Sequence, residues 1–178
     1  MHISRLSAKM FLFGFAALAA IIFGLSLAGA LLPRQSKSVR NTHFKAAPER
    51  LWAALIDVEG YPGWRPDVSR VQIRPSPDGR LVWREYGWYG SLTLRVEEAA
   101  PSKHLVTRVI ASEVPFSAVW IFSLSPADDG GSMLHMQETR EVNNPLYRLP
   151  VRIFIGGRAS VDSYLRALGR KLGETVNP

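Results

Sequence analysis

The sequence predicts an α+β domain: an antiparallel sheet, short helices after its first strand and an amphipathic helix at its end, all preceded by one apolar helix. Three observations lead there. The stretch from Phe44 to Ile73 reads in turn as strand end, short helix, aromatic turn and strand. Between Val68 and Val142, apolar and polar residues alternate in short runs, the period-two signal of half-buried antiparallel strands. From Asn144 the apolar period becomes that of a helix with one greasy side.

From Met10 to Leu32 run 23 uncharged residues. As a helix rising about 1.5 Å per residue they reach about 34 Å, enough to cross a hydrocarbon core of about 30 Å. Ala28-Gly-Ala30 resembles a signal-peptide cleavage site, but the run exceeds an ordinary signal core, so an uncleaved single-pass anchor is the reading. Arg5 and Lys9 flank one side and Arg34, Lys37 and Arg40 the other. The positive-inside rule therefore leaves the side of the membrane, expected to be a bacterial cell membrane, open. Ala16, Ala20, Gly24 and Ala28 recur every fourth residue and would let two such helices associate, although small residues are common in any membrane segment. The expected division is a flank at 1–9, the span at 10–32, a linker at 33–37, the folded domain at 38–173 and a tail at 174–178.

Within the domain, Pro48 suits a first helical position and Glu49 complements the positive helix end. Leu51, Trp52, Leu55 and Ile56 form a stripe this short helix must press on a sheet. Gly60, Pro62 and Pro66 stop it and shape a connection carrying Tyr61 and Trp64. Strands are expected at 68–74 and 80–86, joined at Ser76-Pro-Asp-Gly79, where Asp-Gly supplies the positive φ of a tight hairpin. Further strands are expected at 91–96, 105–111, 116–125 and 133–142, the last two joined at Asp128-Asp-Gly-Gly131. Phe116, Ala118, Trp120, Phe122 and Leu124 share one strand face; Leu134, Met136, Glu138 and Arg140 share another. Parity between Tyr86 and Gly90 is open by one residue, so either Trp83 and Glu85 or Arg84 and Tyr86 face inward. Asn144 caps a final helix that Pro150 should kink or interrupt within two turns, giving two helical pieces, and Gly156-Gly157 points to a bend or a close backbone approach; beyond Pro150, Phe154, Gly157, Val161, Tyr164, Leu165, Leu168 and Leu172 line the sheet side.

Ala47-Pro-Glu-Arg-Leu-Trp52, Asp57-Val-Glu, Tyr61-Pro and Trp64, with Asn144-Pro-Leu-Tyr-Arg leading into Asp162-Ser-Tyr-Leu-Arg-Ala-Leu168, resemble the START/Bet v 1-like (SRPBCC) superfamily in its polyketide cyclase/dehydrase-like branch, over residues 38 to 173. The resemblance implies a helix-grip fold: a curved antiparallel sheet wrapped round a long C-terminal helix, two short helices after the first strand, and a hydrophobic cavity between sheet and helix.

Composition bounds the chemistry. With 178 residues there is room for one such domain; 47% of them are apolar, including five Trp, so a core or pocket can form without metal or disulfide. The absence of Cys removes thiolate catalysis and cysteine metal sites. His2, His43, His104 and His135 have no metal-ligand spacing, so neither metal nor cofactor is expected. There is no phosphate loop, and Ser26 in Gly-Leu-Ser-Leu-Ala lies inside the apolar run, where it cannot serve as a nucleophile elbow. The net charge is +7, with Arg148, Arg152, Arg158, Arg166, Arg170 and Lys171 expected to give the last helices a basic outer face. That face suits anionic lipid or plain solvation; no nucleic-acid motif accompanies it.

The remaining polar residues among apolar strand neighbours are Arg84, Glu85, Arg108, Glu113, His135, Glu138 and Arg140. Glu138 is the weak catalytic candidate: burial would raise its pKa as proton transfer needs, whereas an arginine partner (Arg84, Arg108 or Arg140) would lower it. The candidate cavity set is Trp64, Trp83, Phe116, Trp120, Phe122, Met136, Glu138, Phe154 and Tyr164. The leading expectation is membrane-anchored binding of a hydrophobic small molecule or lipid. The alternatives are a polyketide cyclase/dehydrase-like enzyme and an interaction protein resembling the coenzyme-Q-binding branch, acting through Arg166 and Arg170. One fold hosts all three.

Overall fold

The computed structural model describes residues 3–156 and 158–178, with side chains from Lys9 onward except that of Arg158; readings placed on His2, Arg5, Gly157 and the Arg158 side chain fall outside it. It begins with helix α1 (Ile3–Ala30), whose segment Lys9–Ala30 is long and apolar enough to cross a membrane and packs against the rest of the protein only near its C-terminal end. Seven strands follow: β1 (Gln35–Phe44), β2 (Val68–Arg74), β3 (Val82–Gly87), β4 (Gly90–Ala100), β5 (His104–Ser112), β6 (Ser117–Pro126) and β7 (Ser132–Glu141). Helix α2 (Pro48–Ile56) and a 3₁₀ turn at Val58–Gly63 lie between β1 and β2; α3 (Pro145–Phe154) and α4 (Arg158–Leu172) close the chain.

The strands form one antiparallel sheet in the order β1-β7-β6-β5-β4-β3-β2. It is a meander from β2 to β7, with β1 returning to pair the far edge, so the sheet can curl over a helix without a crossover. Register shifts between Val68 and Arg70, Thr93 and Leu94, and Val96 and Glu98 mark bulges, each of which adds bend and twist. The hairpins turn where glycine tolerates left-handed φ, at Gly79 (+71°) and Gly130 (+82°).

The apolar stripes meet as their spacing requires. Leu51 and Leu55 of α2 and Val161, Leu165, Leu168 and Leu172 of α4 bury against Phe44, Phe122, Leu124, Leu134 and Met136 of the sheet. A second cluster joins the 3₁₀ turn (Val58, Tyr61) to Trp83, Leu92, Leu94, Val109, Phe116 and Ala118, with Val151 of α3. Trp64 and Trp120 touch both clusters, so the two cores are continuous around the space described below.

Three expectations are corrected. Strand β1 starts at Gln35, inside the segment expected to be linker, because Gln35, Ser36 and Lys37 pair with Glu141, Arg140 and Thr139; backbone hydrogen bonding, which carries no apolar period, sets that boundary. Pro150 does not interrupt the last helix. Helix α3 runs through it to Phe154, one missing N–H being tolerated, and the chain leaves the helix at Ile155 and Gly156, so the two helical pieces are found but with a later break. Arg148 is not on an outer face: it is buried, and its Nη1 donates to the carbonyl oxygens of Gly29 (3.2 Å) and Leu32 (3.3 Å), clamping the end of α1 to α3.

Candidate functional site

Between α4 and the concave face of the sheet lies a cavity of about 340 Å³, within the range of small-molecule sites. The pleat decides its walls. Alternation along β3 sends Trp83 and Glu85 inward and Arg84 outward, resolving the open parity. Alternation along β6 and β7 sends in Phe116 just ahead of β6, Trp120, Phe122, Met136 and Glu138. Helix α4 supplies Val161 and Tyr164 from the opposite side.

Of the candidate cavity residues, Trp83, Phe116, Trp120, Phe122, Met136, Glu138, Phe154 and Tyr164 all border this one space. Trp64 does not. It stands behind the wall, edge-on to Tyr61 (5.4 Å between centroids) and Tyr164 (5.5 Å), because its place after the 3₁₀ turn aims it at the back of α4. Phe154 borders the mouth rather than the interior: it is 72% exposed, and Ile153 (63%) and Trp88 (68%), which also border the cavity, are exposed too. The cavity thus opens between apolar side chains facing solvent.

The floor is polar, and most of it was not legible in the sequence. Arg65 lies between two tyrosines, its guanidinium 4.9 Å from the Tyr61 ring centre and 5.4 Å from that of Tyr164. It donates to Glu85 Oε1 (3.0 Å) and to Asp67 Oδ2 (2.6 Å), and the Trp83 indole N–H donates to the same Glu85 oxygen (2.8 Å). Glu85 is 1% exposed, so its charge is held by these two donors. For Arg65, burial disfavours the charge but the Glu85 and Asp67 carboxylates outweigh it and hold its pKa well above the usual value. Burial also raises the pKa values of the Tyr61, Tyr89 and Tyr164 hydroxyls, which stay protonated at neutral pH; the Tyr61 hydroxyl donates a hydrogen bond to the Leu55 carbonyl (2.6 Å). Nothing in Arg65-Pro-Asp67 as a sequence separates it from a surface turn.

A second buried pair faces the cavity on β7. Arg140 donates to Glu138, the two being 5% and 3% exposed in their side chains. Burial raises the Glu138 carboxyl, and Arg140 offsets part of that rise. Glu138 Oε2 and Arg140 Nε and Nη1 have no hydrogen-bond partner among the described residues. Of the three arginines that could pair with Glu138, Arg140 is the one found, and the pair is buried. Arg84 instead donates to Ser91 Oγ (2.6 Å) and Glu113, Arg108 lies 3.5 Å from Glu97, and His135 meets Asn41 (2.7 Å), all on the face away from the cavity. Among the described residues no group of metal-ligating side chains occurs.

The fold is similar to that of a START superfamily protein from Mycobacterium smegmatis, at 18% identity over 77% of this chain and 97% of that one, with a TM-score of 0.63. It is also similar to the Zhui aromatase/cyclase from Streptomyces sp. R1128 (14%, 75% and 91%, TM-score 0.62) and to XoxI from Bacillus cereus (13%, 76% and 94%, TM-score 0.58). No curated protein sequence matches. Residues 36–172, from the first strand to the last residue of α4, match the family described as polyketide cyclase / dehydrase and lipid transport, and the chain belongs to that family.

Proposed function

We propose that the protein is held at a membrane by α1 and takes an apolar or amphipathic small molecule, such as a lipid, into the cavity between α4 and the sheet. The observation that carries this reading is the cavity itself. Aromatic and aliphatic walls surround a floor whose charges are already paired, Arg65 with Glu85 and Asp67. Such a floor offers a few fixed donors to orient a polar end, while the walls exclude water from the rest. The exposed Trp88, Ile153 and Phe154 at the mouth fit a molecule that arrives from lipid rather than from water.

The test is extraction of the full chain from membranes in mild detergent, followed by mass spectrometry of what it carries. An amphipathic molecule near one per chain, displaced in Thr107→Trp, whose new ring would fill the cavity, is the expected result. A chain that carries nothing and takes up no apolar fluorescent probe would sink the proposal.

A second reading, a proton-transferring enzyme of the cyclase/dehydrase kind, is favoured by Glu138, a raised carboxyl facing the cavity. There Glu138 would exchange a proton with an enolisable carbonyl compound. Loss of turnover in Glu138→Gln with ligand affinity retained supports it; unchanged turnover removes it.

A further inference from the structure

Beside the apolar cavity lies a second cleft, of about 540 Å³, bounded by the chain leaving α1, the first residues of β1, the end of β7 and one side of α3. Five of its side chains are cationic, Arg34, Lys37, Arg140, Arg148 and Arg152, and none of the described residues lining it is acidic. Several arginines elsewhere have carboxylates beside them: Arg80 has Asp78 and Glu97, Arg84 has Glu113, Arg95 has Glu97. Here only Arg140 has a carboxylate, that of Glu138; Arg34, Lys37, Arg148 and Arg152 have none among the described residues, so the cleft keeps an excess of positive charge.

Two of the five are buried, which makes the cleft more than a basic surface. Arg148 spends its donors on carbonyl oxygens, those of Val142 (3.0 Å), Asn143 (2.9 Å), Gly29 and Leu32. Neutral acceptors hold the guanidinium in place and leave its charge unbalanced. Arg140 borders both spaces. It gives Nη2 to Glu138, while Nε and Nη1, both buried, have no partner among the described residues. Gly156 borders both spaces too, and a Cβ there would come within 2.6 Å of Arg140 Nη1, so glycine keeps the approach to that donor clear. Arg34, Lys37 and Arg152 stand exposed at the lip with flexible donors to spare.

A buried guanidinium with two unpartnered nitrogens, ringed by further cations, matches an oxyanion with several acceptors, as a phosphate has and a lone carboxylate has less fully. The cleft begins at Leu32, two residues beyond the end of the apolar helix, which puts it at headgroup depth when α1 crosses a bilayer. We infer that this cleft binds a phosphodiester anion, that of an anionic phospholipid headgroup, with Arg140 as its buried donor and Arg34, Lys37 and Arg152 closing over it. The cleft shares Arg140 and Gly156 with the cavity wall, but its exposed cations Arg34, Lys37 and Arg152 do not line the cavity, so the inference stands whether or not the cavity carries a lipid.

The experiment is calorimetric titration of the full chain in neutral detergent with dioctanoyl phosphatidylglycerol, with dioctanoylglycerol, which lacks the phosphate, and with inorganic phosphate. Phosphatidylglycerol should bind at least about tenfold more tightly than dioctanoylglycerol, and less tightly as salt is added. In Arg34→Glu/Arg152→Glu, both exposed positions, its affinity should fall by about tenfold or more. Thermal stability and uptake of an apolar fluorescent probe by the cavity should stay unchanged in that variant, which separates failure here from failure of the proposed function. Gly156→Ala, which crowds Arg140 Nη1, should weaken the same ligand. Binding of inorganic phosphate as tight as that of phosphatidylglycerol, and lost in the same variant, would keep the anion chemistry and overturn the lipid source. Equal affinity for the lipids with and without phosphate, or unchanged affinity in the double variant, would overturn the inference.

Discussion

Arg65→Met tests the floor of the cavity. The Arg65 side chain is 12% exposed and that of Glu85 2%, so removing the guanidinium leaves a carboxylate in the core with only the Trp83 N–H to hold it. Breaking a buried pair in this way costs about 3–5 kcal/mol. At roughly 2–4 °C per kcal/mol for a chain of this size, the melting temperature should drop by about 10 °C. Glu85→Gln alone keeps an acceptor for Trp83 and leaves Arg65 with Asp67, so about 1–3 kcal/mol is expected. The double variant removes both charges and should lose less than the two singles together, with a coupling of about 1–3 kcal/mol. Urea unfolding of the four proteins in one detergent, followed by tryptophan fluorescence, gives the cycle. A loss below about 1 kcal/mol in Arg65→Met, or additivity of the two changes, would refute the reasoning that this pair is sealed from solvent and interdependent.

Three further outcomes are expected. Because burial holds the Glu138 carboxyl above its ordinary value, the folded protein takes up that proton more readily than the unfolded chain. The stabilisation is complete below the unfolded value of about 4.3 and is lost as pH rises through the folded value, so wild type should gain stability relative to Glu138→Gln on going from pH 7 to about pH 4; a flat difference would contradict it. Trp88→Ser with Phe154→Ser removes exposed side chains and should change stability by no more than about 0.5 kcal/mol per site, while slowing uptake of an apolar probe from vesicles in stopped-flow mixing. At the junction of α1 and α3, a side chain on Gly29 would overlap the Pro145 carbonyl; Gly29→Leu should free α1 from α3 and speed proteolysis between residues 30 and 35, whereas an unchanged cleavage rate would mean the two helices part without consequence.

The elements and the inner faces were legible because each is a local periodicity. Trp120, Phe122, Met136 and Tyr164 fall on one interior because strand and helix repeats send them there, whatever lies opposite. The family pattern fixed how sheet and helix combine. The open parity at Trp83 could not be resolved along the chain, since both alternatives put one aromatic and one charged residue inward; pairing of Glu85 with Leu92 decided it.

By itself the sequence determined what repeats along it: seven strands, the amphipathic last helix, the tight turns at Gly79 and Gly130, and an apolar segment of membrane length. Tertiary structure alone decided which charges meet. Arg65 reaches Glu85 across twenty residues, Arg148 holds Gly29 across 119, and Arg140 borders both the cavity and the cleft. Hydrophobic burial acts on each residue separately and so leaves a period in the sequence. A salt bridge depends on two long side chains brought together by distant backbone, and no spacing along the chain records that.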